Sequence, residues 1–332
     1  MAAQAVPRRR QSVRSRQAGA ALLLALVAVT LIVTLAAGMV WQQQRAIQVE
    51  AAERARSQSG WILLGALDWS RLILREDGRT SNVDHAGEPW ATPLAEARLS
   101  TFLAAGKDGV AEDEGPEAFL AGAIEDAQSR YNLRNLMAPD GKAYELELAT
   151  LSRLCATAGL PPDAATRLAR ALRTAWRVTA ATAPTEERNR PVAIRRLEQL
   201  AWLDSEPGVI SALQASTDIL PSPTPVNVNT APREVLAAVL DVDLGVAERL
   251  VQQRQRSPYR NLEQLTPLLP EATKLDPQRV AIATSHFLVS GRLRLEDRVL
   301  EERSLVTRRG TGNGVEVLTL HRERRSLDLN LP

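Results

Sequence analysis

From Gln17 to Gln44 the chain carries no charged side chain. The 21 residues Ala20–Val40 are almost all Ala, Leu, Val, Ile, Thr, Gly and Met. As an α-helix they span about 32 Å, at about 1.5 Å of rise per residue, which is enough to cross a bilayer core. Five arginines precede the run: Arg8, Arg9, Arg10, Arg14 and Arg16. Basic residues beside a spanning helix stay cytoplasmic, so the expected topology is single-pass. The N-terminus is then in the cytoplasm and almost everything after Arg45 lies across the membrane.

A secretory signal peptide has its small-residue cleavage site after the apolar run. Here the small residue, Gly19, stands before it. A cut between Gly19 and Ala20 would remove a basic leader, residues 1–19, and leave the apolar helix on the mature chain. This arrangement resembles a type IV pilin-like leader, cut after a glycine by a prepilin peptidase. A plain signal anchor, with Gly19 incidental, is the alternative reading of the junction alone.

The formal net charge of +2 falls to −3 once the five leader arginines are set aside. The basic balance is thus a topology signal and gives no reason to expect nucleic acid. Aromatic residues make up 4% of the chain, so the core must be built mainly of Leu, Val and Ala. The single cysteine, Cys155, excludes an intramolecular disulfide. Its setting, Leu151 to Leu154, reads as a helix face and predicts a buried thiol.

Hydrophobic periodicity divides the rest. Ile47, Val49, Trp61, Leu64, Leu67 and Leu72 recur at helical spacing, so the helix is expected to run over 20–75, with its second half amphipathic and packed on a domain. Glu76-Asp77-Gly78 should end it. Residues 76–118 read as irregular, with a short helix around Pro93–Phe102. Residues 124–134 read as a hairpin turning near Asp126 to Ser129. From 144 to 276 the pattern is all-helical, with helices starting near Tyr144, Pro162, Val192, Pro232, Gly245 and Asn261. Ala165 to Leu168 followed by Leu197 to Leu200 is echoed by Ala247 to Leu250 followed by Leu262 to Leu265, which points to two related helix-pair units. After Thr284 the period becomes two, giving strands at 287–295, 299–308 and 315–322, the last two joined by a glycine turn, Gly310 to Gly314. If the late strands share a sheet with the hairpin, 76–143 and 277–332 form one α/β domain and 144–276 is an insertion.

No catalytic constellation is present. His85, His286 and His321 lack metal-ligand spacing. Gly310, Gly312 and Gly314 sit between strand patterns with no helix following, which makes them a turn and not a phosphate loop. Glu125 beside Asp126, and Asp241 with Asp243, read as solvated or capping carboxylates. Residues 226–256 resemble a helix-hairpin-helix, a motif that binds phosphate through backbone amides at a helix N-terminus. Asp241 and Asp243 would repel phosphate there. A membrane-anchored, competence-like nucleic-acid-binding protein is therefore the alternative function, and the scaffold without the phosphate site is preferred.

Several stretches together resemble the K family of minor pseudopilins of bacterial type II secretion systems. They are Gln17 to Leu23, Gly87-Glu88-Pro89-Trp90-Ala91-Thr92-Pro93-Leu94, Glu125 to Leu136, Val226-Asn227-Val228-Asn229-Thr230-Ala231, and Ser285-His286-Phe287-Leu288-Val289. The resemblance implies an α+β pseudopilin fold: a long N-terminal helix, a small antiparallel sheet and a large inserted all-α domain. It implies no enzymatic activity and N-methylation of Ala20 after cleavage. The implied place is the inner membrane, with the C-terminal domain periplasmic. The implied partners are minor pseudopilins I and J at the pseudopilus tip, other pseudopilins, the inner-membrane assembly platform and the prepilin peptidase, with no nucleic acid. Calcium is implied as a ligand of the family, with no residues here assigned to it. Counted from Ala20, the fifth mature residue is Leu24, where most pilin-like subunits carry glutamate. An intramembrane carboxylate costs a few kcal/mol unless it meets a partner, such as the amine of the subunit above. A first subunit has nothing above it, so Leu24 fits a tip position.

Overall fold

The structure, a computed structural model, describes residues 17–100, 118–139, 141–177, 194–203, 207–295 and 298–328. The leader up to Arg16, the far end of the helix expected at Pro93–Phe102 and the start near Val192 lie outside them. Contacts divide the chain into two units, Met1–Trp61 and Ile62–Pro332.

The first unit is helical. Helix α1 spans Gln17–Thr80, and its early part is long and apolar enough to cross a membrane. Leu22, Leu24, Leu31 and Leu35 are all exposed, Leu24 at 71%. An unbroken sleeve of exposed aliphatic side chains has no place in water but matches hydrocarbon.

In the second unit α1 continues past its expected stop. Ser81 still donates its backbone N–H to the Asp77 carbonyl. Glu76-Asp77-Gly78 is a packing feature instead of a terminator. A Cβ on Gly78 would lie 2.7 Å from Arg308 Cδ, so glycine here admits the arginine. The buried stripe Leu63, Leu67 and Leu74 lies on a five-stranded antiparallel sheet. Its strands are β1 (Leu94–Arg98), β2 (Ala118–Asp126), β7 (His286–Leu295), β8 (Arg298–Arg309) and β9 (Glu316–Asp328), in that spatial order. Leu120, Phe287, Val289, Leu293, Val306 and Val317 form the apolar floor. Each buried leucine contributes about 1.5–3 kcal/mol by leaving water.

Two local expectations are corrected. The stretch expected as a helix at Pro93–Phe102 contains β1, paired antiparallel with β2. Helix-favouring Leu, Ala, Glu and Arg are overridden there by an open sheet edge. The hairpin expected at 124–134 does not form. The Asp126 carboxylate accepts the Gln128 N–H at 2.7 Å and caps a short 3-10 turn, Ala127–Ser129, that leads the chain out of the sheet. The next strand, β3 (Tyr131–Asn132), pairs in parallel with β4 (Thr217–Asp218).

Between β2 and β7, which are neighbours in the sheet, the chain inserts a mainly helical stretch. It holds α2 (Lys142–Thr157), α3 (Ala164–Arg177), α4 (Pro207–Leu213), α5 (Arg233–Leu240) and α6 (Leu244–Arg256). A second parallel pair, β5 (Val226–Asn227) with β6 (Val280–Ala281), closes it. These two-residue ladders are the departure from an all-helical pattern. One apolar core runs through the stretch, including Leu151, Cys155, Leu172, Leu200, Val235, Leu250 and Leu265. The internal echo is structural. Leu197–Leu203 and Leu262–Leu268 are both seven-residue 3-10 helices. In each, a glutamine reaches back to cap the N–H four residues earlier, Gln199 to Arg195 and Gln264 to Arg260, both at 2.8 Å.

Candidate functional site: the junction of sheet and helical insert

The motifs that stand apart in sequence converge where the insert leaves and re-enters the sheet. Asp126, at the end of β2, is 4% exposed. Its Oδ2 accepts from Asn227 Nδ2 at 2.8 Å and from Thr230 Oγ1 at 2.5 Å. Asn227 also donates to the Asp84 carbonyl. Gln128 Oε1 accepts the N–H and the hydroxyl of Ser285, while its Nε2 donates to the Pro225 carbonyl. Both crossings of the chain are therefore tied to each other and to the segment after α1. Burial pushes the Asp126 carboxyl up to about 6, against the pull of its hydrogen bonds. Of the carboxylates expected to be solvated or capping, Asp126 caps but is buried, whereas Glu125 pairs with Arg130 at 2.8 Å.

Three more asparagines act as backbone surrogates. Asn132 accepts from the N–H groups of Arg134 and Leu220 and donates to the Ser222 carbonyl. Asn135 binds both the N–H and the carbonyl of Thr224. Asn229 does the same for Tyr259. Each clamps an irregular segment that could not form a ladder. The Trp90 indole donates to Glu88 Oε2 and packs edge-on against Phe287 at 5.2 Å.

Beside this network lies a cluster that the sequence does not announce. Arg308, on β8, donates to Asp77 at 2.6 Å and to both oxygens of Asp84 at 2.5 and 2.7 Å. It sits 4.9 Å over the Phe287 ring. Asp84 is fully buried and also accepts the Thr284 N–H. Burial, then the nearby Glu88, pushes Asp77 up to about 6, opposed by Arg308. Asp77, Asp84 and Glu88 place ligand oxygens within 4.8 Å of one another, the closest such set among the described residues. They do not fit a resident calcium. Their oxygens are engaged by the Arg308 guanidinium and by the N–H groups of Thr284, His85 and Trp90. The cation of this site is Arg308.

The histidines do not converge on a metal. His286 is buried, its Nδ1 lies 2.9 Å from Ser285 Oγ, and desolvation draws its pKa down to about 4. Cys155 is buried, with its thiol raised to about 11 by desolvation. In the helix-hairpin-helix formed by α5 and α6, Asp243 caps α6 by accepting the Val246 N–H at 2.9 Å. Asp241 takes the left-handed conformation and pairs with Arg153 at 2.8 Å. The chain's own carboxylate thus takes up an amide at the N-terminus of α6 that a bound phosphate would need. Gly19, Ala20 and Leu24 lie on the apolar helix of the first unit. The junction is built wholly from the second.

Comparison with known proteins finds similarity over most of the chain. Residues 226–285, which include the Asn227–Asn229 turn, the helix-hairpin-helix and the return into β7, match the family described as Type II secretion system (T2SS), protein K. The chain is 27% identical over 314 residues to Type II secretion system protein K of Pseudomonas aeruginosa, covering 86% of this chain and 87% of that protein. It is 28% identical over 327 residues to the protein of the same name from Pectobacterium carotovorum, covering 88% and 93%. The fold matches a chain in the crystal structure of the GspK–GspI–GspJ complex from the type 2 secretion system of enterotoxigenic Escherichia coli. The TM-score is 0.64 at 17% identity, covering 82% of this chain and 98% of that one. The family resemblance read from the residues, and the pseudopilin-like combination of a long helix with an antiparallel sheet, are thereby borne out.

Proposed function

We propose that the chain is a K-type minor pseudopilin of a type II secretion system, a non-catalytic subunit at the pseudopilus tip. There it helps initiate assembly and the export of folded proteins across the outer membrane. The observation that carries this reading is similarity to two proteins of that name over 86% and 88% of the chain. The buried polar groups at the junction support a structural role, because each is spent on backbone or on another side chain. The helix-hairpin-helix supports no nucleic-acid reading, since Asp243 occupies its amide site.

The apolar part of α1 is a single membrane anchor. In the proposed topology it lies in the inner membrane, with the leader in the cytoplasm and the second unit in the periplasm. Prepilin peptidase cuts between Gly19 and Ala20, and Ala20 is N-methylated. The mature chain comprises α1 from Ala20 to Thr80, an α/β domain built on the five-stranded sheet, and the mainly helical insertion between β2 and β7. The partners are minor pseudopilins I and J, other pseudopilins and the assembly platform. Of these, GspI and GspJ are the proteins with which the solved relative was crystallised. Leu24 leaves no intramembrane carboxylate that would need an amine above it, in keeping with a capping position.

Co-expression of the full chain with I and J, followed by purification on a tag carried by this chain, tests the partnership. Recovery of both partners is expected, and self-association that ignores them refutes it. Intact mass of the membrane-extracted protein checks the processing. A mature chain beginning at methylated Ala20 is expected, and a retained leader in cells with active peptidase refutes it.

A further inference from the structure

In the motif from Glu125 to Leu136, the Arg134 side chain is not used by the junction. Asp126, Gln128, Asn132 and Asn135 face inward and are satisfied. Arg134 instead lines a cleft of about 780 Å³ between the helical insert and the outer face of β7, β8 and β9. Its guanidinium stacks 4.2 Å from the Trp176 ring, and its Nε is buried with no acceptor. Arg195 and Arg303 also line the cleft and, like Arg134, make no ion pair among the described residues. The other two arginines there are committed, Arg130 to Glu125 and Asp218, Arg196 to Glu323. The cleft lining thus holds five arginines against three carboxylates, Glu198, Asp218 and Glu323, a formal excess of two positive charges, with Arg303 sharing the field of Asp218 with Arg130.

The remainder of the lining is mostly apolar or amide, with the Thr217 hydroxyl and the His321 imidazole besides. Leu288, Leu305 and Leu320 come from the sheet, and Gln214 from the insert. A bare inorganic anion would use the arginines and leave the leucine floor wet. Nucleic acid would need stacking surfaces, and the ring beneath Arg134, Trp176, is 3% exposed, which leaves the His321 imidazole as the one aromatic ring among the described lining residues. Carboxylates alternating with aliphatic side chains on an extended backbone would use all three kinds of lining at once, with guanidiniums meeting carboxylates in bidentate pairs. The volume is within the range of pockets that bury a drug-sized ligand, about 300–1,000 Å³, so it would hold a few side chains of a longer segment.

We infer that the cleft between the insert and the sheet is a binding site for an acidic, leucine-rich polypeptide segment of another protein, with Arg134, Arg195 and Arg303 receiving its carboxylates. Arg134 is the anchor because it is held rigid on Trp176 and already desolvated. Arg195 and Arg303, being exposed, set the rate of encounter and its salt dependence.

The test uses the full chain in detergent micelles and fluorescence anisotropy. The probe is a fluorescein-labelled peptide of alternating glutamate and leucine, about twelve residues long, compared with its glutamine-for-glutamate counterpart. The glutamate peptide should bind at least about tenfold more tightly than the glutamine peptide, and weaken by about tenfold between about 50 and 300 mM NaCl. Arg134→Gln should weaken it by about tenfold or more. The exposed pair Arg195→Glu and Arg303→Glu, which leaves the core untouched, should do the same, whereas Arg309→Glu outside the cleft should not. Equal binding of the two peptides, or binding indifferent to the Arg195 and Arg303 reversals, overturns the inference. So does displacement of the peptide by oligothymidylate of equal charge at equal concentration, which would mark the cleft as a general polyanion surface.

Discussion

Replacing Arg308 by methionine should be among the most damaging single changes in the second unit, and its cost should depend on pH. The arginine side chain is 9% exposed and faces Asp84, which is fully buried, and Asp77, which is 11% exposed. Methionine keeps most of the apolar stem but leaves both carboxylates without a cation. Removing one partner of a buried ion pair costs about 3–5 kcal/mol, because the other charge stays uncompensated. Against a total stability of about 5–15 kcal/mol that is a large fraction. Protonation relieves it. Asp77 is already raised to about 6 with the arginine present. Without it, Asp77 and Asp84 should bind protons more tightly still, titrating above about 6, so the loss should shrink as pH falls toward about 6 and be smallest below it. Urea unfolding of the full chain in micelles, followed by tryptophan fluorescence at pH 7.5 and pH 5, measures both values. The same variant should gain a response to calcium beyond whatever the parent shows, since three carboxylate ligands then lie within 4.8 Å of one another with no guanidinium between them. A site of about 1 mM affinity in about 10 mM calcium would restore about 1.4 kcal/mol. A loss below about 1 kcal/mol at pH 7.5, or an equal loss at both pH values, would refute the assignment of Arg308 as the cluster's cation.

Gly310 sits at φ +82°, and a Cβ there would lie 2.2 Å from the Gly314 carbonyl oxygen, so Gly310→Ala should cost about 1–3 kcal/mol, read as lost hydrogen-exchange protection across β8 and β9. Asn229→Ala leaves the buried N–H and carbonyl of Tyr259 unpaired and should cost about 2–4 kcal/mol in a urea titration. Asp126 has a folded pKa of about 6 against an ordinary 3.8, so the native state holds more protons between those values. Stability from this group is present at low pH and is lost as pH rises from about 4 through 6. Asp126→Asn should flatten that slope in thermal melts across the same range, and an unchanged slope would remove Asp126 as its source.

The long elements were legible because each is governed by a single periodicity. The apolar run from Ala20 fixes a spanning helix, and the alternation from Phe287 to Leu295 fixes which face of β7 receives Leu63 and Leu67. Placement of the sheet's other strands was less so. Leu94-Ala-Glu-Ala-Arg98 has helical composition, and only the free edge of β2 makes it a strand. The supposed hairpin failed at Asp126, where a turn-forming carboxylate is spent as a cap that sends the chain away. Half of the junction was visible as motifs, since Asn-x-Asn and the run from Asp126 to Asn135 are dense in side chains that imitate backbone. Asp77, Asp84 and Arg308 were not visible. They are separated by up to 231 positions and belong to no local pattern, so only the fold brings them together.

The location of these groups explains why a large insert can sit on a small sheet without loosening it. The insert leaves at Asp126 and returns at Ser285, on strands that are direct neighbours in the sheet. Two adjacent strands alone would act as a hinge. Instead Asp126 binds Asn227 and Thr230 inside the insert, Gln128 spans from Pro225 to Ser285, and Asn227 reaches the segment following α1. Arg308 then fastens that segment and the last turns of α1 to β8. Each of these bonds crosses a boundary between elements, so bending the insert away from the sheet would break several buried, charge-assisted bonds together.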